Sequence, residues 1–370
     1  MSELRTIQAA RAIAANLVVF SHLFFVEAKY TASGILPAFT LYGIAGVDLF
    51  FVISGFIMVA VAGRDRGPIE FLWRRATRIY PTYWLVSLMV LATTLISPTF
   101  VNSSITTPIS LWRSFLLVPD RTFPLLAVGW TLVYEMYFYL AFAIFLALRI
   151  SVFVGLIAWG VLILIIGSAF PDQIASSPIL RVVVSPLTAE FMMGAFVGML
   201  WRRRCVPGAL AVGAVGLAGL IVSIVYIAPM LSLAANPYLD AWRVIIFGIP
   251  VALIVYALTG LEQLYPSGRP AKLLVALGDW SYATYLIHVL IISAIGRTIF
   301  ALAPGGGVGA SFALIATGVL AANVAGGGIH ALFERPTLNW LRKFGARLKM
   351  KEIHARVPET NDHTTTPQRS

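Results

Sequence analysis

Charged residues are scarce in this chain, and their scarcity excludes a soluble protein. Only 12% of the 370 residues are charged, whereas 59% are hydrophobic. An average soluble domain is about one quarter charged, and a chain this poor in polar residues cannot cover a surface that faces water. The single cysteine, Cys205, also excludes an intramolecular disulfide and a cysteine-based metal site. We therefore expect an integral membrane protein with no metal and no nucleic-acid partner.

Long apolar runs stand where the charges are missing. A helix needs about 20 mostly apolar residues to cross a bilayer, and the sequence contains ten such runs. They cover residues 7–26, 41–62, 80–97, 128–148, 151–170, 183–201, 207–228, 243–260, 275–301 and 309–333. The predicted fold class is an all-α integral membrane protein, a polytopic bundle of about ten transmembrane helices.

The distribution of basic residues predicts the orientation of this bundle. Cytoplasmic loops of membrane proteins carry an excess of lysine and arginine. If the N-terminus is inside, 21 of the 27 such residues lie in inner segments and 6 lie in outer ones, so both termini are predicted to be cytoplasmic. Residues 1–345 are expected to form one transmembrane domain, and residues 346–370 a basic and then polar cytoplasmic tail, disordered at its end. The proline-containing outer loop 98–127 is expected to lie along the outer surface.

Titratable side chains inside a span are costly, so each is a functional hypothesis. Arg11 and His22 are eleven residues apart in the first run, which places them on one helix face and about 16 Å apart along the axis. Functional groups on this face could therefore extend across most of the membrane. The alternative is that Arg11 reaches the lipid headgroups and His22 makes a structural hydrogen bond to a neighbouring helix.

Two carboxylates, Asp48 and Glu135, are candidate partners for His22. Asp48 lies in an apolar run and needs a partner, either His22 or an arginine in a structural ion pair. Glu135 is predicted about two turns below the outer surface, close to the depth of His22. A carboxylate beside His22 would fix its tautomer and stabilise its imidazolium, as a general base requires. An unperturbed histidine pKa of about 6.5 already suits such a base.

Arginines cluster between the second and third runs. Arg74, Arg75 and Arg78 precede Pro81, near which we expect a break in the helix. Arg75 and Arg78 are three residues apart, so a helix presents both on one face. Clustered guanidinium groups bind phosphates. Lipid headgroup contact and the general excess of positive charge inside form the alternative.

Further polar side chains lie in the fourth, ninth and tenth runs. Tyr282, Tyr285 and His288 recur every three residues and predict a polar stripe, suited either to substrate contact or to interhelical hydrogen bonds. Tyr134 precedes Glu135 and is a further candidate for substrate contact. At the end of the last run, a local pair between Glu334 and Arg335 is expected to close the helix.

Together these motifs resemble the membrane-bound acyltransferase-3 family over nearly the whole chain, up to about residue 345. Within the family the chain is similar to bacterial exopolysaccharide O-acetyltransferases. One departure is Ala12, where the family more often has glycine. The resemblance is carried by Arg11 with His22, the 46–55 block, Arg75 with Arg78 and Tyr80-Pro81, the 130–139 segment, the 278–288 segment, and Glu334 with Pro336.

The resemblance implies a multi-pass enzyme of the bacterial inner membrane. Such an enzyme takes an acyl group, usually acetyl, from cytoplasmic acyl-CoA and places it on a hydroxyl of a surface or secreted polysaccharide. The acceptor could be a lipid-linked glycan, and membrane lipids and polysaccharide assembly machinery are expected partners. By position, the resemblance makes His22 the catalytic histidine, Arg11 its essential partner, and Arg75 and Arg78 ligands of the CoA phosphates, with Arg74 beside them.

The sequence leaves one alternative open for the mechanism and one for the class of function. Direct transfer with His22 as general base is the predicted mechanism, and a covalent acyl-enzyme through Tyr134 is the alternative. In a different class, a secondary transporter or glycan flippase would use His22, Asp48 and Glu135 as a proton relay.

Overall fold

The computed structural model describes residues 4–31, 33–61, 67–96, 109–231, 240–265 and 270–356. Several features predicted above lie outside the described residues. They are the first part of the outer loop at 98–108, the end of the tail at 357–370, and three of the basic residues counted in the inner segments, Arg64, Arg66 and Arg269.

The described chain is helical, and no strand occurs within it. Short 3-10 segments occupy Ala38–Ile44 and Ala127–Gly129, and π-helical turns occupy Ser223–Ile227, Val244–Gly248 and His330–Glu334. The α-helices are α1 (Arg5–Tyr30), α2 (Ala45–Val61), α3 (Pro68–Ile96), α4 (Leu111–Leu116), α5 (Trp130–Ala147), α6 (Val152–Ala169), α7 (Pro171–Ser176), α8 (Pro178–Val183), α9 (Thr188–Arg202), α10 (Ala209–Val222), α11 (Ala228–Met230), α12 (Asp240–Arg243), α13 (Ile249–Leu264), α14 (Lys272–Asp279), α15 (Ser281–Leu302), α16 (Val308–Ile329) and α17 (Arg335–Arg356).

Ten helical stretches in the described ranges are long and apolar enough to cross a membrane, which confirms the predicted multi-pass bundle. The stretches are Arg5–Tyr30, Ala38–Ala60, Pro68–Ile96, Ala127–Ala147, Val152–Ala169, Pro178–Arg202, Ala209–Met230, Ala241–Leu264, Ser281–Leu302 and Val308–Gly345.

Helix α1 packs against α2, α14, α15 and α16. Small residues allow this close packing. In lipid there is no hydrophobic effect that drives helices together, so their association depends on van der Waals contact between closely packed surfaces. A Cβ atom at Gly46 of α2 would overlap the carbonyl oxygen of Ala14 on α1. On the other side, a Cβ atom at Gly326 of α16 would overlap Thr284 of α15. These two approaches fix α1 and α15 within the bundle.

The predicted helix break near Pro81 is wrong. Helix α3 runs without interruption from Pro68 to Ile96 with Pro81 inside it, so the arginine cluster is the first part of the third span. Proline removes one backbone donor, and packed membrane helices tolerate this because neighbouring groups satisfy the freed backbone. Two residues before the proline, the Tyr282 hydroxyl of α15 donates to the carbonyl oxygen of Ile79 at 2.8 Å and joins α15 to α3.

The sequence predicted that the outer loop lies along the surface, and for the described part of this loop that prediction is wrong. Side chains from the middle of α3 donate to backbone carbonyls of α4 and the residue after it: Tyr83 to Ser114 at 2.7 Å, Trp84 to Phe115 at 2.8 Å, and Tyr80 to Leu116 at 3.0 Å. Residues 109–126 therefore re-enter the bundle beside α3. Because α5 follows directly, it begins deep in the bundle.

The last helix is longer than predicted. Helical backbone continues from α16 through the π-turn His330–Glu334 and along α17 to Arg356, so the expected boundary at residues 345 and 346 falls inside a helix. The ninth predicted run is divided, because α14 ends at Asp279 and α15 begins at Ser281.

Candidate active site

A cavity of about 120 Å³ lies among α1, α2, α3, α5 and α15. Its wall includes the second turn of α1, the first half of α3 and the first two turns of α15, which are the ends of these helices on the N-terminal side of the bundle. The cavity is lined by Arg11, Val47, Phe50, Phe51, Ile53, Ser54, Ile57, Met58, Arg75, Arg78, Ile79, Thr131, Leu132, Glu135, Tyr139, Tyr282 and Tyr285. Six of the eleven predicted site residues are among them.

Two of the three clustered arginines reach this cavity. Arg75 and Arg78 both line it, as their spacing on one face of α3 predicts. Arg74 points the other way: its guanidinium pairs with Glu70 one turn earlier at 2.7 Å, and nearly half of its side chain is exposed. The structure therefore separates Arg74 from the predicted phosphate ligands.

Arg78 has a buried anionic partner that the sequence did not reveal. Its guanidinium pairs with the carboxylate of Glu334, which is only 1% exposed. The second carboxylate oxygen of Glu334 lies 3.2 Å from Nδ1 of His330, and the guanidinium also lies over the ring of Tyr282. The predicted local pair between Glu334 and Arg335 is wrong, because the π-turn directs Glu334 across the bundle to α3.

The positive charges of Arg75 and Arg11 are less compensated than that of Arg78, which has a carboxylate partner. The Arg75 guanidinium lies over the rings of Phe71 and Tyr139, at 5.6 and 5.9 Å from their centres, and its buried Nε has no hydrogen-bond partner among the described residues. Arg11 is half-buried, and the neutral amide of Gln8 accepts a hydrogen bond from it at 3.3 Å. The cavity thus presents cationic groups from opposite walls, on α1 and α3.

Glu135 lies nearer to the N-terminal side of the bundle than the sequence predicted. It lines the cavity together with Arg11, whereas His22 is eleven residues further along α1, about 16 Å away along its axis. The Glu135 carboxylate accepts hydrogen bonds from Ser54 at 3.0 Å and from Tyr139. The predicted match in depth with His22 is wrong because the re-entrant segment before α5 moves the start of that helix inward.

Asp48 pairs with an arginine, which is the structural alternative that the sequence left open. Arg243 donates to both of its carboxylate oxygens, at 2.8 and 2.9 Å, and both side chains are buried. The guanidinium of Arg243 also lies over the Trp130 ring and donates to the carbonyl oxygen of Ile44. The pair joins α2 to α12 and to the start of α5, and Asp48 is not the hydrogen-bond partner of His22.

The predicted tyrosines divide into two groups. Tyr282 and Tyr285 line the cavity, and the Tyr285 hydroxyl is hydrogen-bonded to Thr131 at 2.9 Å and donates to the carbonyl oxygen of Val128 at 3.0 Å. These bonds join α15 to the start of α5 at one end of the cavity. Tyr134 instead packs its ring against Phe51 and Trp130.

His22 and His288 face each other one turn beyond Tyr285. Their ring centres are 4.9 Å apart and the rings meet edge to face. Nδ1 of His22 donates to the carbonyl oxygen of Val18 at 2.9 Å, and Nδ1 of His288 donates to that of Tyr285 at 2.7 Å. Each bond assigns the proton to Nδ1, since a carbonyl can only accept, and leaves a lone pair on Nε2. His22 is thus held in the tautomer of a general base by backbone instead of by a carboxylate.

The described residues contain no group of three or more histidine, cysteine, aspartate or glutamate side chains that could hold a metal ion.

Comparison with known proteins gives a consistent result. The model of the family described as "Acyltransferase domain" matches residues 4–330. The exopolysaccharide production protein ExoZ of Rhizobium meliloti (strain 1021) is 34% identical over 316 residues, which cover 80% of this chain and 90% of that protein. The acyltransferase MdmB of Streptomyces mycarofaciens is 27% identical over 351 residues, which cover 86% of each chain. No solved structure matches the chain significantly.

Proposed function

The chain belongs to this acyltransferase family and is a multi-pass membrane O-acyltransferase, and from that premise we propose that it moves an acetyl group from cytoplasmic acetyl-CoA to a hydroxyl of an exported polysaccharide. The observation that carries the proposal is the order of groups along α1 and α15. A cavity with cationic walls occupies one end, and about three turns further along α1 lies His22, whose Nδ1 is bonded to backbone so that the lone pair is on Nε2.

The arginines support a donor that carries phosphates. CoA is strongly anionic and cannot enter lipid, so its phosphates need cationic ligands where the cavity opens on the N-terminal side. Arg75 fits this role best, since its Nε is buried without a hydrogen-bond partner in the described chain and a guanidinium binds phosphate through charge and paired donors. Arg78 is shared with Glu334, and Arg11 supplies positive charge from the opposite wall. The uncharged pantetheine arm then extends toward His22.

The transfer itself uses His22 as a general base. Nε2 of His22 takes the proton of the acceptor hydroxyl while the hydroxyl oxygen attacks the carbonyl carbon of the thioester. A carbon–oxygen bond forms, the carbon–sulfur bond breaks, and the departing thiolate takes the proton back from His22. The acyl group passes directly from sulfur to the acceptor oxygen. A covalent acyl intermediate on Tyr134, whose ring packs against Phe51 and Trp130, is therefore not needed.

The acceptor reaches His22 from the side of the membrane opposite to the arginines. In this proposal both termini are cytoplasmic, the protein lies in the bacterial inner membrane, and residues 1–345 form the catalytic domain. The printed name of the ExoZ relative supports a polysaccharide acceptor, either free or linked to lipid and presented by an assembly machinery. The alternative of a secondary transporter or flippase loses its basis, because the family is one of acyltransferases.

The direct test uses the purified protein in liposomes with acetyl-CoA and an acceptor glycan, with free thiol as the readout. His22→Ala should lower the rate by about 10²–10⁴ while the protein stays folded. His22→Gln keeps a hydrogen-bonding group but cannot take a proton, and it should fail equally. Transferase activity near that of the wild type in the Gln variant would remove the general-base assignment.

The donor site is tested separately with acetyl-CoA binding. Arg75→Ala should raise the dissociation constant by more than tenfold, because a hydrogen bond to a charged group contributes about 1.5–3 kcal/mol. Arg74→Ala is the matched control on the exposed face of the same helix turn and should bind acetyl-CoA normally. Equal affinities in the two variants would remove Arg75 from the donor site.

A further inference from the structure

The contact between His22 and His288 is not explained by the transfer step as derived above. His288 is 0% exposed on α15, and its ring meets that of His22 with centres 4.9 Å apart. His22 itself is only half-buried. His288 is therefore the more deeply buried of the two rings.

One atom of His288 has no hydrogen-bond partner. Nδ1 donates to the carbonyl oxygen of Tyr285, so Nε2 carries a lone pair, and this buried Nε2 has no hydrogen bond to any described residue. A buried acceptor without a donor is unfavourable, and a phenylalanine or leucine would fill the same space without that penalty. The lone pair is the feature of this position that packing does not explain.

The charge that forms on His22 during transfer needs compensation. A general base gains a positive charge when it takes a proton, and burial makes that charge expensive unless a preorganised dipole faces it. The carboxylates expected to do this are committed elsewhere, Asp48 to Arg243 and Glu135 to Ser54 and Tyr139. His288 is the titratable ring in contact with His22.

We propose that His288 is a positioning residue for His22, and that its unpaired Nε2 stabilises the imidazolium formed when His22 takes the acceptor proton. His288 stays neutral, exchanges no proton and does not bind the acceptor. Two lone pairs on two tethered rings are thus used differently, one to take the proton and the other to stabilise the product of that step. This inference rests on the proposed role of His22.

Two substitutions separate a lone pair from a packed ring. His288→Gln keeps an acceptor oxygen but loses the ring, and His288→Phe keeps an aromatic ring but loses both nitrogens. We expect the Phe variant to lose about tenfold or more in kcat, with KM for acetyl-CoA and for the glycan within twofold of the wild type. The Gln variant should recover part of that loss. If His288 only packs, the ranking reverses, since Phe preserves the shape better, and that ranking would overturn the proposal.

The same experiment also tests a role in acceptor binding. A rise in KM for the glycan without a fall in kcat, in either variant, would assign His288 to the acceptor and reject the proposal. Ile292→Val is the matched control, a fully buried residue one turn further along α15, and it should change kcat by less than twofold. Melting temperatures of all variants confirm that each protein is folded at the assay temperature.

A second background shows whether His288 acts through His22. In the His22→Gln background, His288→Phe should lower the residual rate no further, because there is no imidazolium left to stabilise. A further tenfold loss in that background would overturn the proposal while leaving His22 as the base. If His22→Gln were as active as the wild type, the proposed function itself would fail, and the two failures are therefore distinguishable.

Discussion

The ion pair between Arg78 and Glu334 makes a quantitative prediction about stability. Glu334 is 1% exposed and its partner side chain is 31% exposed. Arg78→Ala leaves a buried carboxylate whose remaining ion-pair partner among the described residues is His330, and removing one partner of a buried pair costs about 3–5 kcal/mol. Glu334→Ala should cost less, because the Arg78 side chain can turn toward the cavity opening and regain water.

The assay is an unfolding titration in detergent micelles, followed by tryptophan fluorescence, for both single variants and for the double variant. Because each single variant removes the same contact, the double variant should be less destabilised than the sum of the two by about 1–3 kcal/mol. Arg74→Ala is the matched control: its pair with Glu70 is exposed and should contribute less than about 1 kcal/mol.

Either of two results would refute this reasoning. If Arg78 is only a second basic residue at the lipid headgroups, Arg78→Ala resembles Arg74→Ala, and equal stabilities of the two variants would support that simpler interpretation. Strict additivity of the two single effects in the double variant would show that Arg78 and Glu334 do not interact energetically.

Three further predictions concern packing and sidedness. Asp48→Ala should destabilise the protein by about 3–5 kcal/mol because buried Arg243 loses its carboxylate partner, and adding Arg243→Leu should restore part of the loss in the same titration. Gly46→Val should lower the melting temperature because a side chain there overlaps a carbonyl of α1, whereas Gly167→Val, with open space around it, should not. Exposed Cys205 should resist a membrane-impermeant maleimide in intact cells and react after permeabilisation; labelling of intact cells would reverse the proposed orientation.

Much of the site was predictable because it depends on local spacing. Arg75 and Arg78 share a helix face through their separation of three residues, and both line the cavity as that spacing indicates. Tyr282, Tyr285 and His288 likewise lie on α15 with their polar groups directed into the bundle. Helical periodicity alone sets such relations, since the rotation per residue is fixed by backbone geometry.

The sequence could not identify the partners of side chains that pair across long distances in the chain. Asp48 and Arg243 are 195 residues apart, and Arg78 and Glu334 are 256 residues apart. The signal that could have indicated these pairs was present: a carboxylate in an apolar span needs a cation. Its choice among several arginines depends on which helices are neighbours, and sequence spacing carries no information on that.

The sequence by itself determined that this is a membrane bundle of ten spans, since length and apolarity of a run decide whether it can leave water. It also determined the helix faces and, through its motifs, the family. Only the tertiary structure decided the depth of Glu135, because re-entry of residues 109–126 beside α3 shifts the start of α5. It alone brought His288 against His22, because that contact depends on how closely α15 approaches α1, and the lack of a side chain at Gly296 of α15, beside Tyr30 of α1, allows that approach.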